Sequence, residues 1–247
     1  VSKSAAFSDL IQGVSYYRFI CALLNDYDAQ AGDMTENLKY VLGLVLRPEN
    51  LIVDFTGDRA EADLLKERIA SFKDELFTEK HRPVSQNIDL VRSNEGLITS
   101  GQVVFVCRAG RYDRHGLKFT GALKVLKVFL GYDYLWMNVR VKGGAYGVMN
   151  AFTPAGTGFF VSYRDPNLTK TVDVYEGAAE AVANFNEDER GMTKLIIGTV
   201  SDMDMPLTPS ARGARSFNSY MSGITEEDLQ RTRDEVLDCT PEDIRKC

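Results

Sequence analysis

The longest helical pattern in the chain begins near Phe119, runs through Leu123, Val125, Leu126, Phe129, Leu130, Leu135 and Trp136, and is broken by two adjacent glycines, Gly143-Gly144. Apolar residues three and four apart make one stripe of a helix, and a glycine pair removes the propensity that would continue it. Two strands read directly after the break, over 145–152 and 158–163. Pro154-Ala155-Gly156 joins them, a hairpin signal. A long helix delivered onto a hairpin through two residues without side chains requires two backbones to approach closely at that corner.

The flanking chain follows the same reasoning. Residues 1–47 read as helices through Phe7, Leu10, Ile11 and Val14, then Tyr17, Ile20, Cys21 and Leu24, then Leu38, Val41, Leu42 and Val45, and Pro48 ends them. The β-rich run 50–56 predicts a strand closed by Gly57-Asp58, and 60–77 predicts a helix. Residues 80–94 lose periodicity and read as a surface linker. The run Gln102-Val-Val-Phe-Val-Cys107 predicts a strand covered on both faces. Two further apolar stripes, Val172, Tyr175, Ala179, Val182 and Phe185, then Met192, Leu195, Ile196, Thr199 and Met203, predict helices. Thr225-Glu-Glu-Asp228 and Thr240-Pro-Glu-Asp243 both read as helix starts with a capping hydroxyl and an acidic third position. The last of these starts opens a helix only about two turns before Cys247, with no evident stripe to bury, so truncation is the expectation. The first residue is Val1 rather than methionine, which agrees with an excised or processed piece. Strands followed by runs of helices predict an α+β fold, a mostly antiparallel sheet with helices packed on one face.

Composition narrows the chemistry. The 247 residues hold 29 Lys+Arg against 35 Asp+Glu, a formal net charge of −6, which argues against an overall nucleic-acid-binding surface. No apolar run approaches the ~18 residues of a membrane span, so a soluble, reducing compartment is expected, cytoplasm or an organelle matrix. Cys21, Cys107, Cys239 and Cys247 are scattered without the spacing of a zinc ribbon. The two histidines, His81 and His115, stand far apart in polar turns, and no metal site is expected among these residues. A dinucleotide loop would follow a strand and open a helix, whereas Gly143-Gly144-Ala-Tyr-Gly147 does the reverse. Walker and nucleophile-elbow strings are absent.

What remains is Tyr134-Leu-Trp-Met-Asn-Val-Arg140-Val-Lys-Gly-Gly-Ala-Tyr146-Gly147. Arg140 belongs to the last helical turn, where a cation meets the negative helix end, and Tyr146 opens the strand beyond the glycines. Arginine and tyrosine are donors suited to a peptide carbonyl or to the oxyanion that develops from it. A capping arginine beside a core tyrosine is the alternative. Residues 111–150 carry seven Lys/Arg against two Asp/Glu, so this motif sits in the basic part of an acidic chain.

Together with Ser162-Tyr-Arg-Asp-Pro-Asn167, Pro206-Leu-Thr-Pro-Ser-Ala-Arg-Gly213, Tyr16-Tyr-Arg-Phe19 and Asn50-Leu-Ile-Val-Asp-Phe-Thr-Gly-Asp58, that segment resembles the C-terminal half of the pitrilysin-like zinc metallopeptidases, specifically the presequence protease family. The resemblance implies a peptide-degrading enzyme folded as two halves around a chamber. Zinc is then held in the N-terminal half by an inverted His-x-x-Glu-His motif and a distal glutamate. It implies that residues 1–45 are the helical tail of one such domain and 46–247 most of the next. Arg140 and Tyr146 correspond to the family's substrate-carbonyl contacts, with Gly143 and Gly144 beside them at the substrate. The expected partners are the N-terminal catalytic half of the same polypeptide and a peptide, with neither nucleic acid nor membrane. No His-x-x-Glu-His occurs here, so the chain alone is expected to be inactive and to hold no cofactor. Met137-Asn138 also stands where the family pattern leads one to expect an acidic residue. The alternative is a non-catalytic pitrilysin-like binding or scaffolding subunit.

Overall fold

The computed structural model describes residues 2–80, 85, 87–90, 94 and 96–247. They divide into two compact units, Lys3–Leu90 with Leu207–Gly223, and Val91–Pro206 with Ile224–Cys247. The first is helical: α1 (Lys3–Gln12), α2 (Val14–Asn25), α3 (Tyr27–Val45), α4 (Arg59–Asp74) and α8 (Pro209–Ser222). Asp9 breaks α1 from α2 by accepting the N–H of Val14 at 2.8 Å. A capping box between Asp58 and Glu61 starts α4. Gly43 is the only buried residue of α1, α2 and α3. The stripe Leu38, Val41, Leu42 and Val45 is about half exposed, at 58, 49, 49 and 56%.

The strand expected over 50–56 does not form. Residues 51–56 are irregular, with Ile52, Val53 and Phe55 exposed. A strand needs a ladder partner for its backbone groups, and every strand among the described residues belongs to the other unit. Thr56 instead meets α8 at Gly213, where any side chain on the glycine would collide with the threonine hydroxyl.

The second unit carries the core. Its sheet is antiparallel with order β1-β3-β2, from β1 (Val104–Arg111), β2 (Gly147–Phe152) and β3 (Thr157–Asp165). Against one face pack α5 (Gly121–Phe129) with its π-helical continuation Leu130–Val141, and α6 (Thr169–Ala183). Helices α7 (Glu189–Met203), α9 (Glu226–Leu237) and α10 (Pro241–Arg245) enclose α5. Val125, Leu126, Leu130 and Leu135 are almost fully buried, as the long apolar pattern predicts; Val139 joins them, whereas Trp136 is exposed. The strand expected at 102–107 starts two residues later and is a sheet edge. Within β1 Val106 alone is buried while Phe105 is 74% exposed, so this apolar run is not covered on both faces. The hairpin forms where expected, and α10 does bury a residue, Ile244, fully enclosed in the same core.

Candidate functional site

The corner between the π-helical segment and β2 is held from three directions. The segment closes with an N–H donated by Lys142 to the carbonyl of Met137 at 3.0 Å, a five-residue step, and Gly144 donates to Arg140 at 2.9 Å. Such wide helical turns concentrate at functional sites. Gly144 has φ +82°, a left-handed conformation, and a side chain on Gly143 would strike the carbonyl oxygen of Val139. The two glycines therefore serve the turn itself, the role that their position between helix and strand implies.

Each predicted donor has a defined neighbour. The Arg140 guanidinium lies over the Trp136 ring, 3.9 Å from its centroid, and is part-buried there. Tyr146 is 59% exposed and meets the Tyr163 ring edge-on at 5.5 Å. The cation facing the Tyr146 ring is Arg164, at 5.4 Å, rather than Arg140. The backbones of Arg140 and Tyr146 are held separately: the Arg140 carbonyl accepts from Gly144, and Tyr146 donates to the carbonyl of Arg164 at 3.3 Å. Gly147 pairs with Tyr163 across the strands, and a side chain there would occupy the space of the tyrosine ring. Alternation along β3 puts Tyr163 with Val161 and Phe159, on the face opposite Phe160, which packs with Tyr175 of α6. The aromatic pair therefore occupies the sheet face opposite α6.

Sequence reasoning quoted the segment 162–167 but gave it no role. The structure makes it the brace of the site. Asp165 is fully buried and accepts from Ser162 Oγ at 2.6 Å, Thr171 Oγ1 at 2.8 Å and the Asn167 N–H at 2.9 Å. Asn167 in turn donates from Nδ2 to the carbonyl of Gly143 at 2.5 Å. Immediately before Asp165, Arg164 is the one non-glycine residue of positive φ among the described residues, at +48°. Such a conformation costs about 1–3 kcal/mol and persists where surrounding bonds over-determine it. A signal was available in the sequence, because an Asp-Pro-Asn string leaving a strand predicts a hydrogen-bonded turn.

A groove of about 950 Å³ lies elsewhere in this unit, lined by Lys118, Glu227, Asp234, Glu235 and Asp243 among others. Its acids are engaged structurally. Glu235 accepts the N–H of Gly121 at 2.7 Å at the start of α5, and Asp243 closes the capping box of α10. Among the described residues no group of three or more His, Cys, Asp or Glu could hold a metal ion, so the donor set does not fit zinc. His115 is exposed in a short turn, and His81 lies outside the described residues. No helix among the described residues is long and apolar enough to cross a membrane.

The family model of the PreP C-terminal domain matches residues 94–247. The chain is 36% identical to Protein HypA of Clostridium perfringens over 244 residues, which is 99% of the chain and 25% of that protein. It is 32% identical to presequence protease 1, chloroplastic/mitochondrial, of Arabidopsis thaliana over 96% of the chain and 22% of that protein. The chain thus spans about a quarter of the length of these curated relatives. Among solved structures, a peptidase M16 inactive domain from Pseudomonas fluorescens superposes with a TM-score of 0.51 at 16% identity, covering 77% of the chain and 47% of that one, a likeness of fold.

Proposed function

The chain belongs to the PreP C-terminal domain family, and from that premise we propose that it is the substrate-contacting C-terminal part of a pitrilysin-like metalloendopeptidase that degrades unfolded peptides. The observation that carries this reading is the turn itself. Arg140 and Tyr146 are the two donors on either side of a glycine pair, and a buried Asp165–Asn167 brace holds that turn from the next strand. Donors fixed in advance of the reaction stabilise developing oxyanion charge without reorganising, which is the useful property in peptide hydrolysis. In this reading Arg140 and Tyr146 contact the substrate carbonyl, and the turn made by Gly143 and Gly144 lies beside the substrate.

The hydrolytic centre belongs in this proposal to the N-terminal half of the same polypeptide, because the donor set here does not fit a metal. That half is also the proposed partner. The half-exposed stripe of Leu38, Val41, Leu42 and Val45 supports it, since an amphipathic helix in a finished fold turns such a stripe inward. The division at 45/46 into the tail of one pitrilysin-like domain and most of the next belongs to the same proposal.

The test is peptide hydrolysis by the full-length protein carrying Arg140→Ala or Tyr146→Phe. Each is expected to lower kcat/KM by about 10–10³-fold, the range for losing one transition-state hydrogen bond. The 247 residues alone are expected to hydrolyse nothing. Wild-type rates in both variants would remove the site. A full-length protein that binds peptides and cleaves none would favour a non-catalytic binding subunit.

A further inference from the structure

We propose that Arg164, held against the ring of Tyr146, forms a carboxylate-binding subsite beside the peptide carbonyl contacts, so that peptides carrying an acidic group near the bound bond are preferred. The inference rests on the functional reading above and adds to it a residue and a ligand chemistry.

Three observations converge on Arg164. Its backbone is held at φ +48°, where an arginine is strained and a glycine is not. An arginine in that place gives up backbone comfort, which points to a use for the side chain. The guanidinium is exposed and held over the Tyr146 ring at 5.4 Å, while the Arg164 carbonyl accepts the Tyr146 N–H at 3.3 Å. Ring and cation are thus joined at both backbone and side chain. Finally, Arg164 makes no ion pair among the described residues, whereas Arg108, Arg111, Arg231 and Arg233 each hold a carboxylate.

The neighbouring acid does not compete for it. Asp165 is fully buried with its oxygens taken by Ser162, Thr171 and Asn167. Arg140, at the start of the turn, is likewise without an ion pair among the described residues, and it stacks on Trp136, while Lys142 bonds Asn138 Oδ1 at 3.2 Å. A guanidinium that faces an aromatic ring without bonding an acid keeps its N–H fork available, which suits a carboxylate. Two sources present that ligand, an Asp or Glu side chain and a peptide C-terminus.

Binding to the full-length protein distinguishes them. Two pairs of dye-labelled peptides are compared by fluorescence anisotropy, one pair differing by Glu against Gln at an internal position, the other by a free against an amidated C-terminus. At least one acidic member is expected to bind about tenfold tighter than its neutral partner, the size of one charge-assisted contact. Arg164→Gly and Arg164→Asn, both compatible with the left-handed backbone, are expected to bring that ratio to about one, and Arg164→Lys to keep part of it. No preference in the wild type, or an undiminished ratio in both neutral variants, overturns the subsite. Arg140→Ala separates the two readings. If it lowers hydrolysis while the Arg164 variants keep the ratio, the subsite alone fails; if it and Tyr146→Phe both leave hydrolysis unchanged, the functional reading fails first.

Discussion

Asn167 donates its side-chain amide to the carbonyl of Gly143 across 24 residues of sequence, at 2.5 Å, and its own N–H is held by the buried carboxylate of Asp165. The turn that presents Arg140 and Tyr146 is therefore positioned by a strand end, not by its own residues alone. Removing the carboxylate with Asp165→Ala would leave the donors of Ser162, Thr171 and Asn167 without an acceptor. The expected loss is about 3 kcal/mol of unfolding free energy, read by denaturant titration. Asn167→Ala removes one bond and is expected to cost about 1 kcal/mol.

The glycines of the motif are expected to differ in how they fail. Gly147→Ala places a methyl in the volume of the Tyr163 ring, so about 1–3 kcal/mol of overpacking is expected together with a displaced Tyr146–Tyr163 pair. Gly144→Ala meets nothing closer than Pro166 Cγ at 3.5 Å, but it forces φ +82° on an L residue. Its cost of about 1 kcal/mol is expected to be conformational. A crystal structure of each variant separates the two: Tyr163 moves in the first and not in the second.

Helix α10 tests cap against core. Thr240 Oγ1 accepts from the Asp243 N–H, and the Asp243 carboxylate accepts from the Thr240 N–H at 3.1 Å. Thr240→Ala is expected to cost about 1 kcal/mol. Ile244 is fully buried, and Ile244→Ala is expected to cost about 2–5 kcal/mol. Equal losses on denaturant titration would contradict the docked position of α10.

The alkaline limit of stability is expected to depend on two buried groups. Burial pushes the Tyr175 phenol up to about 12, and the Cys239 thiol also to about 12, from ordinary values of 10 and 9. A pKa raised on folding means the native state binds the proton more tightly than the unfolded chain. The stabilisation is complete below pH 9 and declines as pH rises to about 12. Unfolding free energies measured at pH 8, 10 and 11.5 are expected to fall, and Tyr175→Phe is expected to flatten part of that fall.

Local periodicity and turn chemistry were legible in the chain because they are properties of neighbouring residues. The helices of the first 45 residues, the long stripe from Phe119, the hairpin at Pro154-Ala155-Gly156 and the caps at Thr225 and Thr240 all follow from side-chain spacing and short-range hydrogen bonding. The resemblance of the segment around Arg140 to a peptidase family was likewise readable, since it lies in an ordered string of residues. Tertiary structure alone decided the rest. Residues 50–56 have the composition of a strand and no ladder partner, so they stay irregular. Val103 to Val106 read as an interior run, yet β1 is an edge, because strand order is a long-range fact. Ile244 had no visible stripe, and α5 with its neighbours supplied the core that buries it. The site divides in the same way. Arg140, Gly143, Gly144 and Tyr146 stood out in sequence, while the cation over Tyr146 is Arg164 and the brace is Asp165 with Asn167, all brought there by the pairing of β2 with β3.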